Sequence, residues 1–212
     1  DSVMKRSIRP LKASSVLRDY SLLSSFFNWC RLDKHWINFN PVQDIRKPKK
    51  PNNRERRVEE DELVKMLTAL KYKPGTVPES KTQEVGLAWL IAMATGMRSG
   101  EIVNRLPKDI HLEKRYVQLD DTKNGTARKV PLDDFALQLW TLAMKIDRKG
   151  SPKVFTISDS SRDALFRKAR KQAGLENADL TFHDSRHEAA SLMARRIKNA
   201  LTLCKIFGWK DP

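Results

Sequence analysis

The 212-residue sequence predicts a mainly α-helical fold interrupted by one small antiparallel β-sheet, an α+β arrangement. Two observations carry this. Apolar residues recur at three- and four-residue spacing along most of the chain, the period of one helix face. Only residues 116–132, YVQLDDTKNGTARKVPL, switch to β-type alternation, and they break at Asn124-Gly125, the strongest short hairpin signal. A third observation concerns the partner. Lys and Arg number 41 against 26 Asp and Glu, a formal charge of +15. The excess is uneven: residues 1–57 hold 14 basic and 5 acidic side chains, the remainder 27 and 21. A basic arm on a milder body points to a polyanion, because each neutralised phosphate releases counterions. Nucleic acid is the first candidate and an anionic membrane surface the second.

The elements follow in order. Residues 14–37 read as one amphipathic helix, with Val16, Tyr20, Leu23, Phe27 and Cys30 on one stripe and Ser14 or Ser15 able to cap it. Leu17, Leu22, Phe26 and Trp29 are apolar as well, so this helix needs a packing partner. RKPKKPNNRERR, residues 46–57, carries seven basic residues, two prolines and no apolar packing side chain. It reads as a linker. A charge run of this kind is commonly a solvated connector. Placed between two folded pieces of a basic protein, it suits contact with a DNA backbone through Arg46, Lys47, Lys49, Lys50, Arg54, Arg56 and Arg57. The division is therefore 1–45, 46–57 and 58–212. Beyond the linker, VEEDELVKMLTALK opens with acids and closes with lysine, in keeping with the helix dipole. A more buried helix at 83–95 stops at Gly96. The sheet occupies about 109–131, and helices return near 133–147, 160–173, 182–196 and 198–207.

Some classes are disfavoured. The longest mostly apolar run, residues 86–97, is well short of the ~20 residues of a membrane span. No signal-peptide pattern stands at the start, and two cysteines are too few for a disulfide framework, so a reducing cytosol is expected. The chain opens on Asp1 and stops at Pro212, from which a longer natural protein is expected.

Three places carry chemistry. In TGMRSGE, Arg98 follows the Gly96 break in a short turn between helices, where a guanidinium is held rigidly and can bind phosphate bidentately. Glu101 can brace it, although such a stretch is also an ordinary helix corner. Lys123 stands just before the Asn-Gly turn; it is either a solvated turn residue or a cation reaching into a groove. LTFHDSRHEAASLM, residues 180–193, is more specific. Thr181 and Asp184 resemble a capping box, which places His183 and Arg186 at a helix N-terminus, a site that attracts phosphate. At ~100° per residue Arg186 shares a stripe with Ala190, Met193 and Ile197, so an anionic partner is expected for it. His183 can exchange protons near neutral pH. His183 and His187 are four apart, but no third ligand is near, and neither metal nor cofactor is expected.

Taken in order, ATGMRSGEIVNRL, TKNGTARKVPL, LTFHDSRHEAASLM and FGWKDP resemble the boxes of the tyrosine recombinase (phage integrase) family. The resemblance covers residues 58–212 as a catalytic domain incomplete at its C-terminus, and residues 1–45 as the C-terminal part of a helical, SAM-like core-binding domain. It implies Arg98 and Arg186 as the phosphate-clamping pair and His183 as an aid to proton transfer. Lys123 would be the general acid, and Trp209 would donate its indole N–H from the position where many members have His. Glu101 and His187 would support them. It further implies site-specific recombination of double-stranded, attachment-site-like DNA through a 3′-phosphotyrosyl intermediate. The implied assembly is a homotetramer on DNA, in a bacterial cytosol, with accessory DNA-bending proteins as further partners, in a phage or mobile element. In the family the nucleophilic tyrosine lies some residues beyond the His/Trp position, and Tyr20, Tyr72 and Tyr116 match no such place. The nucleophile is therefore expected outside these residues. A type IB topoisomerase-like enzyme and a DNA-binding module of the same fold without chemistry are the alternatives.

Overall fold

The computed structural model describes residues 11–50, 56–120 and 127–209. The chain divides into two compact units, residues 1–54 and 55–212. Lys123 and Arg54, two of the expected site residues, lie outside the described residues.

In the first unit α1 spans Ala13–Leu32, shorter than the expected 14–37. It ends without a glycine. His35 adopts φ 55°, and the Trp36 N–H turns back to Cys30 O at 3.0 Å. A left-handed histidine is a stop that periodicity does not signal. Cys30 is the one buried residue of α1. Leu22, Leu23, Phe26 and Trp29 remain exposed, so among the described residues this side of the helix is left uncovered.

The second unit is a helical body around one core. α2 (Glu60–Ala69) opens with a reciprocal capping box between Glu59 and Glu62 and three acids in its first turn, which suits the positive end of the helix dipole. α3 (Lys81–Thr95) is capped by Ser80, whose hydroxyl accepts from the Gln83 N–H. From Glu84 to Ala92 every residue of α3 is buried, so this helix runs through the centre of the unit. Gly96, at φ 66°, ends it in the left-handed conformation. The short α4 (Ser99–Val103) starts at once from Arg98.

Three strands follow, β1 (Ile110–His111), β2 (Tyr116–Leu119) and β3 (Arg128–Pro131), in the antiparallel order β1-β2-β3. Val117 pairs with Val130, both wholly buried, which locks the register, since a one-residue slip would turn these valines to solvent. α5 (Asp134–Met144), α6 (Asp159–Gln172), α7 (Asp184–Arg196) and α8 (Ala200–Phe207) complete the unit. Asp133, Ser158 and Asn199 cap α5, α6 and α8 with side-chain oxygens. The core joins Trp89 to Phe166 (5.3 Å between ring centres) and Phe166 to Phe182 (5.5 Å). Phe182 thereby anchors the start of α7 on the central helix. Each expected helix is present with ends shifted by a few residues, the two hairpin strands pair antiparallel while the Asn124-Gly125 turn lies outside the described residues, and the fold is mainly α with a small antiparallel sheet.

One expectation about the linker is corrected. Arg56 and Arg57 are not part of a free connector. Arg56 donates through Nε to Ala178 O at 2.8 Å and pairs with Glu62. Arg57 forks onto Glu188 of α7, with Nε to Oε2 at 3.0 Å and Nη2 to Oε1 at 2.5 Å. Both guanidiniums are engaged inside the second unit, where they tie its first residues to Glu62 of α2, the Ala178 carbonyl and Glu188 of α7. In the first unit Arg46, Lys47, Lys49 and Lys50 are exposed, with Lys47 over the Tyr20 ring at 4.4 Å.

Candidate active site

The corner between α3 and α4 sets Arg98. Its backbone N–H donates to Glu101 Oε2 at 2.8 Å and its Nη1 to Oε1 at 2.9 Å, so the guanidinium lies back along the first turn of α4. The side chain keeps 26% of its surface exposed, whereas the Glu101 side chain keeps 9%. Glu101 accepts a second fork: Arg128 of β3 donates through Nη1 to Oε1 at 3.0 Å and through Nη2 to Oε2 at 2.8 Å. Burial pushes the Glu101 carboxyl up, but the bonds from Arg128 and from the Arg98 N–H outweigh it and hold the group below the ordinary carboxylate value.

Arg186 enters from the first turn of α7 and is 5% exposed. Its Nη1 donates to Gly96 O and its Nη2 to Phe207 O, and the guanidinium lies 5.1 Å from the Phe207 ring centre. The expected anionic partner is therefore not its direct one. Two carbonyls hold it, and Glu101 acts only through space. Burial first, and the charge of Arg98 second, pull Arg186 down to about 10, so it is still a cation at neutral pH.

His183 stands at the start of α7 and is exposed. Partial desolvation, then the His187 ring and the Arg186 charge, lower its pKa, which favours neutral imidazole near pH 7. His187 lies edge-on to it at 5.2 Å. The expected capping box is present in its return half: the Thr181 N–H donates to Asp184 Oδ2 at 2.7 Å. Trp209 follows the left-handed Gly208 that ends α8. Its ring stacks on Phe207 (4.7 Å, 20° between planes) and remains 41% exposed.

Arg186 and Trp209 share one seat, and Arg98 and His183 adjoin it along the chain from Gly96 and Arg186. Phe207 is its floor: Gly96 faces the ring, Arg186 lies against it and Trp209 stacks on it. Arg98 and His183 are near enough for their charges to shift or be shifted by the same cluster. Glu101 is the one carboxylate that bonds directly to two of the cluster's guanidiniums, Arg98 and Arg128. Among the described residues three guanidiniums, counting Arg186, stand against two carboxylates, Glu101 and the buried Asp184 beside His183, an excess of positive charge that suits a phosphate diester. Among the described residues no group of three or more His, Cys, Asp or Glu is placed to hold a metal ion, and no helix is long and apolar enough to cross a membrane.

Sequence reasoning passed over Arg128 and Phe207. Arg128 was legible in part, since strand alternation places it on the same face as the buried Val130. An arginine on an inward strand face calls for a partner. No local signal marks Phe207 as a floor, because its neighbours come from α3 and α7.

Comparisons with known proteins bear on the family and the fold. A shufflon-specific DNA recombinase of Escherichia coli is 32% identical over 186 residues, covering 88% of this chain and 45% of the relative. Tyrosine recombinase XerA of Saccharolobus solfataricus is 31% identical over 176 residues, covering 83% and 55%. A Haemophilus influenzae protein with a provisional integrase/recombinase name is 34% identical over 206 residues, covering 96% of this chain and 55% of the relative. The chain thus spans about half the length of these relatives. The fold matches a λ integrase tetramer bound to a Holliday junction, with a TM-score of 0.68 at 24% identity over 94% of this chain and 60% of that one. It also matches the Tn1549 transposon integrase in complex with circular intermediate DNA, with a TM-score of 0.67 at 18% identity over 95% and 73%. The family model described as the phage integrase family matches residues 56–212, and the chain belongs to that family.

Proposed function

We propose that the protein carrying this chain is a site-specific DNA recombinase of a phage or mobile element, acting on double-stranded, attachment-site-like DNA in a bacterial cytosol. The observation that carries the reading is the seat of Arg186 and Trp209 with Arg98 and His183 adjoining it, built from the α3–α4 corner, α7 and the end of α8. In the proposed step a tyrosine oxygen attacks the scissile phosphorus and the bond from phosphorus to the 5′-oxygen breaks. Arg98 and Arg186 stabilise the charge on the non-bridging oxygens, and Trp209 adds an indole N–H. His183, kept neutral, assists removal of the tyrosyl proton, and Lys123 donates a proton to the departing 5′-oxygen. Phosphoryl transfer needs chiefly positioning and charge stabilisation, which such a set supplies. A homotetramer on DNA, joined by accessory DNA-bending proteins, completes strand exchange through a four-way junction.

We place the nucleophile outside these residues, since none of the three tyrosines stands at the family's nucleophile position. Tyr72 is buried in the core, Tyr116 lies on β2 beneath Lys129, and Tyr20 belongs to the first unit. On a nicked suicide substrate, the 212-residue chain alone is expected to form no protein–DNA adduct on a denaturing gel. A longer version that includes the family's tyrosine is expected to form one. An adduct from the 212 residues alone would overturn the placement of the nucleophile. Absence of an adduct from the longer version, on DNA that it binds, would leave a DNA-binding module without chemistry.

The exposed lysines of the arm are expected to act on affinity alone. Replacing Lys49 and Lys50 by Ala should weaken binding to every duplex and reduce the salt slope by about 0.9 for each phosphate that is no longer neutralised. Arg57→Ala should leave that slope unchanged and lower the melting temperature, because Arg57 is bonded to Glu188. Salt titrations of the two variants, read beside the parent, check both statements.

A further inference from the structure

We propose that Arg128, which no box of the resemblance assigns a role, is the positioning residue that assembles the phosphate clamp. The inference deepens the recombinase reading and rests on it. The Arg128 side chain is 7% exposed, and its three nitrogens are all engaged. Nη1 and Nη2 take one oxygen each of Glu101, and Nε donates to Ile206 O at 3.0 Å.

Each bond has a consequence for the site. The fork onto Glu101 fixes the plane of that carboxylate, since both oxygens are held. Among the described residues the Arg98 guanidinium has a single bond, to Oε1 of the same carboxylate, so its direction follows from a plane that Arg128 sets. The bond to Ile206 O satisfies a carbonyl of the last turn of α8, which has no partner within the helix. Arg186 satisfies the next carbonyl, that of Phe207. Two guanidiniums on successive carbonyls at a helix C-terminus also suit the negative end of its dipole. Arg128 thereby holds the turn from which Trp209 departs. A Cβ at Gly208 would stand 3.0 Å from Arg128 Nη1, so the strut and that turn are in close contact. One side chain on β3 therefore joins the support of Arg98 to the support of Trp209, and β3 belongs to the same hairpin sequence as Lys123.

Lysine cannot replace it fully, because an ammonium is a point charge without the planar fork. All three nitrogens of Arg128 are bonded to protein oxygens, so its proposed action runs through Glu101 and α8.

The test uses the longer, tyrosine-bearing protein and measures single-turnover cleavage of a nicked suicide substrate at saturating DNA, with DNA affinity and melting temperature recorded for each variant. Arg128→Ala is expected to slow cleavage by about 10²-fold, the cost of a misplaced catalytic group, with DNA affinity within about twofold of the parent. Arg128→Lys should recover part of the rate. If Arg128 acts through Arg98 and Trp209, adding Arg128→Ala to the double variant Arg98→Ala/Trp209→Ala should slow cleavage little further. A purely structural Arg128 would instead multiply the two losses. Should Arg128→Ala fail to fold, Arg128→Lys decides: a parent-like melting temperature with slowed cleavage supports the proposal, and parent-like cleavage overturns it. Arg98→Ala with parent-like cleavage would overturn the recombinase clamp and this inference together. A defective Arg98→Ala beside a parent-like Arg128→Ala would overturn only the role of Arg128.

Discussion

Arg186→Ala in the tyrosine-bearing protein should lower strand cleavage by about 10³-fold or more, the scale of losing a guanidinium from a phosphoryl-transfer site. DNA affinity should change far less, because one phosphate contact is a small part of a long basic interface. The stability side decides whether such a loss is chemical. Arg186 is charged and 5% exposed. Burial draws its pKa well below the ordinary arginine value, down to about 10, so the folded state holds the proton less tightly than the unfolded chain does. At neutral pH that is a cost of about 3 kcal/mol, relieved only as pH rises through the folded value. Truncation to Ala removes this cost but leaves Gly96 O and Phe207 O without their donor, at roughly 1–3 kcal/mol each. The two effects are of similar size and opposite sign. The melting temperature of Arg186→Ala should therefore fall by only a few degrees while cleavage is lost. A loss of activity accompanied by global unfolding in a thermal melt would contradict this account, as would parent-like cleavage.

Gly96→Ala should be the most damaging single-methyl substitution in the second unit. Gly96 has φ 66°, and an L-residue in the left-handed region costs about 1–2 kcal/mol. A Cβ there would meet Phe207 Cε1 at 2.2 Å and Cζ at 2.7 Å. Phe207 cannot easily withdraw, since it is wholly buried, with Arg186 and Trp209 against its ring. Overpacking of this kind costs about 1–3 kcal/mol more. For a unit of this size the sum corresponds to a drop in melting temperature of roughly 5–15 °C. Gly150→Ala is the matched control. Its φ is 82°, yet nothing lies within 4 Å of the position a Cβ would take. It should carry the backbone cost without the clash. Equal melting temperatures for the two variants would show that the ring is not the tight contact described.

Much of this was written locally. Ser80, Asp133, Ser158 and Asn199 cap the helices they precede because a side-chain oxygen reaches a free N–H only two or three residues on. Gly96 ends α3 because a residue without Cβ enters the left-handed region at little cost. The alternation of 116–132 specified a hairpin, and the order of the basic boxes pointed to the family. These are short-range effects, readable from neighbours along the chain.

What the tertiary structure alone decided is which charges are spent and which are offered. Arg56 and Arg57 look in the sequence like Lys49 and Lys50, one run of solvated cations, yet Arg57 finds Glu188 and Arg56 finds Glu62 and Ala178 O. Arg186 was expected to meet an anion and instead rests on two carbonyls, one at the end of α3 and one at the end of α8. Arg128 became the link between Glu101 and α8 only when β3 was laid beside them. The physical reason is the same in each case. A guanidinium has the same composition and the same local propensity whether it is exposed or buried. Its function follows from oxygens brought to it across the fold, and those distances exist only after the core has packed.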